Sequence, residues 1–288
     1  MANKVLDMVK VDASLNQDQR HQFSKQLSNV VWIIKVEDST TKKDEDYAHV
    51  AGVCISSTGH ILTSSHIIRP DLKYVGSCPS WKGGWTSLRV VKRSMSFGLC
   101  LLQLERGSRK ETDYTSLAEP GVLNVNREVY GFGHPNIFTI PCTYTFIRGS
   151  VEYPCEDVAK LPVCVNDLDR SSTQFLEDTE TTYSALKFDM VSALRSAPRR
   201  VKDLQCVIDV QRFRPKTIVE MHKEIPLIQI KKFHLGHCGG PVFLSSGHVV
   251  GVTLFKFKEI NFAVHLSAIK EFLKDTDLVS FSLSFGPK

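Results

Sequence analysis

No stretch of this sequence approaches the ~18 consecutive apolar residues that a membrane-spanning helix requires, so a membrane partner is not expected. The opening "MANKVLDMVKVDASLNQDQ" contains no apolar run of signal-peptide length and carries acids early. An intracellular protein, cytoplasmic or nuclear, is therefore expected. The eight cysteines, at 54, 78, 100, 142, 155, 164, 206 and 238, form no C-x-x-C pair and several lie within apolar runs. That spacing argues for reduced, buried thiols and against a disulfide framework or a zinc site. There is no internal repeat and no low-complexity tract. No aromatic platform or glycine-arginine tract accompanies the basic runs at 92–94 and 195–200, so these read as solvated surface, with no nucleic acid as partner. Between Asp71 and Glu105 there is no aspartate or glutamate.

What remains is an ordinary globular composition, 42% hydrophobic and 23% charged with a net charge of +5, in a chain of 288 residues that can bury a large core. Helical spacing of apolar residues predicts one short helix over 14–29. "VVWIIKV" (30–36) is a β-branched and aromatic run that predicts a buried strand. "AHVAGVCISSTGHILTSSHII" (48–68) reads as a hairpin about "SSTG", and strands are predicted at 87–93 and 99–105. A second β-rich group covers 126–135 and 138–153, then 226–230, 241–246, 248–257 and 260–266. The stretch from about 155 to 222 is polar, with a strand signal only at 206–210, and reads as a mixed insertion. A helix over 267–278 follows the last strand. Short strands in two groups predict an all-β fold, a barrel or sandwich pair.

"FHLGHCGGPVF" (233–243) sets Cys238 in a glycine-rich corner followed by proline. Flanking glycines let backbone N–H groups turn inward, as an oxyanion site requires, with Gly236 and Cys238 as the donors. A displayed thiol nucleophile also needs a base, and "GHILTSSHII" (59–68) supplies His66 just past a strand. His234 and His237 beside Cys238 lack the spacing and the fourth ligand of a metal site. No metal and no cofactor are expected, and His134 is read as structural.

These segments resemble the trypsin-fold peptidases, especially their HtrA/Deg branch. "HVAGVCISSTGHILTSSHII" is similar to that branch's G-x-x-I-L-T-x-x-H-V, "IQIKKFHLGHCGGPVF" to its I-Q-T-D-…-G-N-S-G-G-P-L, and "GHVVGVTLFKFKEINFAVHLSAI" to its G-x-V-I-G-I-…-F-A-I-P. "VYGFGHP" (129–135) resembles its I-G-N-P segment. The resemblance implies a trypsin-like double β-barrel with a C-terminal helix and an insertion in the second barrel. Residues 1–28 would then be an N-terminal segment with a short helix, 29–110 the first barrel, 120–275 the second with its insertion at about 155–222, and 276–288 a tail. No appended PDZ domain is expected.

Two departures from the family pattern bear on function. The nucleophilic serine is replaced by Cys238, as in the G-x-C-G-G corner of viral cysteine proteases. The triad aspartate, which begins the family's D-L-A-L-L-x-L strand, is replaced by Gly98 in "GLCLLQL", and no acid nearby can substitute. Two readings stay open: an endopeptidase using a Cys238–His66 dyad on polypeptide substrates, or a catalytically inactive pseudopeptidase that binds protein partners. By resemblance, Lys232, Phe233, Gly251, Val252 and Thr253 would line the pocket for the first substrate side chain, and 251–255 would offer backbone to an extended peptide.

Overall fold

The computed structural model describes residues 15–36, 50–65, 68, 72–82, 84–105, 112–134, 136–137, 140–141, 145–154, 225–233, 239–257 and 260–276. Helix α1 (Gln17–Leu27) opens with a capping box, in which the Asn16 side chain accepts from the Gln19 N–H and the Gln19 side chain accepts from the Asn16 N–H. It leads into β1 (Val31–Val36), β2 (Val50–Cys54), β3 (His60–Ser64), β4 (Tyr74–Ser77), β5 (Thr86–Ser94) and β6 (Leu99–Leu104). These six close into an antiparallel barrel in the order β1-β2-β3-β6-β5-β4. Closure leaves no exposed strand edge, and every residue of β2 and β6 is buried.

The second half contributes β7 (Glu128–Gly133), a small β8–β9 ribbon (Asn136–Ile137 with Ile140–Pro141) and β10 (Thr145–Pro154). It continues with β11 (Leu227–Lys231), β12 (Pro241–Phe243), β13 (Val249–Phe257) and β14 (Ile260–His265). β7 and β10 to β14 close a second barrel, ordered β10-β11-β14-β13-β12-β7. The expected all-β double barrel with a C-terminal helix is thus present. Pro154 of β10 pairs with Ile228 of β11, so the long connection between them starts and ends on adjacent strands and leaves the barrel order unchanged. The segment read as an insertion, with its strand signal at 206–210, lies outside the described residues.

The first barrel is filled around Trp32, Ile34, Ile61 and Leu102, and the second around Val129, Ile230, Val242 and Ala263. A third cluster runs between the barrels, joining Val53, Leu62 and Leu101 to Phe132, Phe243 and Val252. Phe23 and Leu27 of α1 enter this cluster, as do Ile269 and Phe272 of helix α2 (Leu266–Leu273). Both helices therefore act as plugs at the seam. Strands β2 and β3 face β12 and β13 across it. No helix among the described residues is long and apolar enough to cross a membrane.

Helix α2 starts where His265 caps it, with Nδ1 accepting the Ser267 N–H at 3.1 Å. Burial of His265 lowers its pKa from the ordinary 6.5 to about 4, and protonation would remove the acceptor that caps the helix. As pH falls below 6.5 the unfolded chain takes up this proton before the folded one does. The contribution to stability is complete above pH 6.5 and is lost between 6.5 and 4. Urea midpoints at pH 7 and pH 5 should accordingly converge in His265→Asn, which keeps a capping acceptor without the titration; an unchanged pH slope would refute this.

Candidate functional site

His66, Gly236 and Cys238 lie outside the described residues, as do His234 and His237. Of their chain neighbours, Ser65, Phe233 and Gly239 are described. Thr63, near the end of β3, donates its hydroxyl to the Ala51 carbonyl at 2.7 Å. Ser65, the residue before His66, gives its N–H to the Gly98 carbonyl at 2.9 Å. The Ser65 carbonyl accepts from both Nε and Nη2 of Arg93, at 3.2 and 3.1 Å. The Ser65 hydroxyl is buried and finds no hydrogen-bond partner among the described residues.

Gly239, the residue after Cys238, sits against this same strand end. Its φ is +77°, and a Cβ built there falls 2.4 Å from Thr63 Oγ1, 2.6 Å from the Ala51 carbonyl oxygen and 2.9 Å from a Val50 methyl. Its N–H donates to the Thr253 carbonyl at 2.8 Å. The Gly240 carbonyl accepts from Thr253 twice, from N–H at 2.9 Å and from Oγ1 at 3.0 Å. Thr253 thus fixes the downstream side of the glycine corner with both its backbone and its hydroxyl.

Phe233 fixes the upstream side. Its ring is 1% exposed and rests on two glycines, Gly131 of β7 and Gly149 of β10, where a Cβ would come within 2.6 and 2.7 Å of it. Its carbonyl accepts from Asn261 Nδ2 at 2.8 Å. Asn261 is buried in a strand that is otherwise mostly apolar, "INFAVHL". Asn261→Ala leaves the Phe233 carbonyl without this donor and should cost roughly 1–3 kcal/mol in urea unfolding. A loss below a few tenths would mean that the amide supports nothing.

Gly98 is buried with φ +68°, its N–H donating to the Met95 carbonyl at 3.1 Å and its carbonyl taken by Ser65. Gly98 is thus part of a tight backbone turn. Among the residues nominated for the substrate pocket, Lys232 is exposed with φ +71°, and Phe233, Gly251, Val252 and Thr253 are buried. Thr253 is engaged with Gly240, and Val252 belongs to the cluster between the barrels.

The described thiols have a different character from a nucleophile. Burial pushes Cys54 and Cys100 up to about 12, and raises Cys78 as well. Among the described residues no three His, Cys, Asp or Glu side chains gather as a metal site needs.

A family model described as the trypsin-like peptidase domain matches residues 50–252. The chain is also similar in structure to the crystal structure of Deg5, with a TM-score of 0.55 and 16% identity, over 91% of this chain and 95% of that one. At that identity the likeness concerns the fold. No curated protein sequence matches the chain.

Proposed function

Since this chain belongs to the trypsin-like peptidase domain family, we propose that it is an endopeptidase of polypeptides in which Cys238 is the nucleophile and His66 the base. The observation that carries this reading is the contact of Gly239 with Thr63 and Ala51. Cys238 is one residue from that contact and His66 three, at about 3.8 Å per step. The sulfur attacks the peptide carbonyl carbon while its proton passes to His66, and the N–H groups of Gly236 and Cys238 receive the oxyanion. Collapse returns the proton to the departing amine. Water, deprotonated by His66, then hydrolyses the thioester and regenerates the thiol.

The vacant acid position fits a thiol better than a hydroxyl. A free cysteine, near 8.5, is only about two units above histidine, near 6.5, so the imidazole can take its proton without a carboxylate behind it. In a serine triad of the chymotrypsin type, by contrast, replacing the aspartate lowers turnover by ~10⁴. A reducing compartment, cytoplasm or nucleus, suits such a thiol. The test is cleavage of an unfolded polypeptide by the wild-type chain, expected to fall at least ~10³-fold in Cys238→Ala and in His66→Ala. Equal cleavage by Cys238→Ala, or none by the wild type, would overturn the assignment.

A second reading, an inactive module that binds protein partners, is favoured by one observation. The Arg93 guanidinium is fixed on the Ser65 carbonyl, one residue from His66, with no acid at Gly98 to offset it. A cation there opposes formation of imidazolium. This reading expects partner capture to survive Cys238→Ala and no cleavage by the wild type.

A further inference from the structure

Away from the glycine corner, helix α1 and strand β10 enclose an open cavity of about 330 Å³, lined by Gln17, Arg20, His21, Ser24, Phe146 and Arg148. The four helix residues recur at spacings of three and four, so they form one face of α1. The buried side is held by Phe23, whose ring meets Tyr130 edge-on at 5.1 Å and Phe146 at 6.1 Å. Phe146 stacks on Tyr130 at 5.5 Å with the planes 7° apart, which makes the cavity floor a braced aromatic surface.

The rim is rich in donors and short of acceptors. Among the described residues Arg20 hydrogen-bonds through Nε alone, at 3.4 Å from the Asn16 carbonyl. Arg148 places Nη1 3.3 Å from Glu128 Oε2, and the Tyr130 hydroxyl donates to the other oxygen of the same carboxylate. Glu128 is thus engaged twice. The terminal amino groups of Arg20, the second Nη of Arg148, the His21 ring and the Gln17 amide have no acceptor among the described residues. Asp18 projects about 100° around the helix from Gln17. The helix N-terminus is itself closed by the Asn16–Gln19 capping box, so the attraction comes from the side chains.

We propose that this cavity is a docking site for an acidic polypeptide segment, in which a Glu or Asp carboxylate spans Arg20 and Arg148 while a neighbouring apolar side chain lies on Phe146. Planar guanidinium groups match the two oxygens of a carboxylate, and the aromatic floor adds the apolar contact that a bare anion cannot use. The choice of a polypeptide rests on the peptidase-family reading, but the site does not require Cys238 to be reactive.

The test uses the full chain as Cys238→Ala, so that cleavage cannot intervene, and the peptide fluoresceinyl-Glu-Glu-Phe-Glu-Glu-amide, labelled at its N-terminus and read by anisotropy. Saturable binding is expected, at least tenfold weaker in Arg20→Glu and weakened in Arg148→Gln, with the all-Gln analogue of the peptide not bound. Circular dichroism and urea midpoints check that both variants fold. The proposal is overturned if the peptide does not bind, if Arg20→Glu binds equally well, or if inorganic phosphate displaces the peptide at concentrations equal to its own. An inactive wild-type chain would defeat the peptidase assignment and leave this result standing.

Discussion

Gly239→Ala is expected to lower stability by roughly 2–5 kcal/mol, seen as a fall in urea midpoint without loss of slope. Two costs combine. A residue with a side chain held at φ +77° meets a penalty of about 1–2 kcal/mol. The new methyl would also stand 2.6 Å from the Ala51 carbonyl oxygen and 2.4 Å from Thr63 Oγ1. Thr63 is itself hydrogen-bonded to that carbonyl, so neither neighbour is the loose end of a flexible side chain. Relief requires β12 to move away from β2 and β3, which are the strands that bring the two barrels together. If cleavage is the function, it should fall further than stability does at temperatures where the variant is still folded. A midpoint within experimental error of wild type would show that the corner does not press on the first barrel.

Phe233→Ala is expected to cost roughly 3–5 kcal/mol, the usual range for emptying a buried aromatic site. The ring fills space that Gly131 and Gly149 leave open, and neither glycine has a side chain that can collapse into the hole. Substitution also loosens the upstream hold on the corner, of which the Asn261 bond to the Phe233 carbonyl is the other half. Phe233→Leu should recover part of the loss, while Gly149→Ala should be destabilising in the wild type, because the ring and the Lys231 carbonyl oxygen both crowd that position. A change in substrate preference with undiminished stability would instead make Phe233 a pocket residue.

Most strands were legible because their apolar runs are long and β-branched: "VVWIIKV", "LCLLQL" and "HVVGVTLFKF" each became a strand within a residue or two. β4 was missed. "YVGS" is four residues with a glycine inside it, and only its pairing with β1 and β5 makes it a strand. The β-rich stretch 138–153 resolves into a two-residue ribbon arm at Ile140–Pro141 followed by β10, a division its composition does not show. Barrel closure and the β1–β4 and β7–β10 pairings are long-range choices that periodicity does not encode. At the candidate site, the glycine corner and the histidine hairpin were visible as residues. The clamps on the corner were not, because Thr253, Asn261 and Arg93 act through partners distant in sequence.

Whether Cys238 is an activated thiol beside His66 is measured directly by its alkylation rate with iodoacetamide as a function of pH. In the native chain Cys238 should react near neutral pH, with an apparent thiol pKa below the free value of about 8.5, and His66→Ala should shift that profile upward. Cys54 and Cys100, held near 12, provide the unreactive internal reference in the same digest. A Cys238 profile centred at or above the free value and identical in His66→Ala would show that no Cys238–His66 dyad forms.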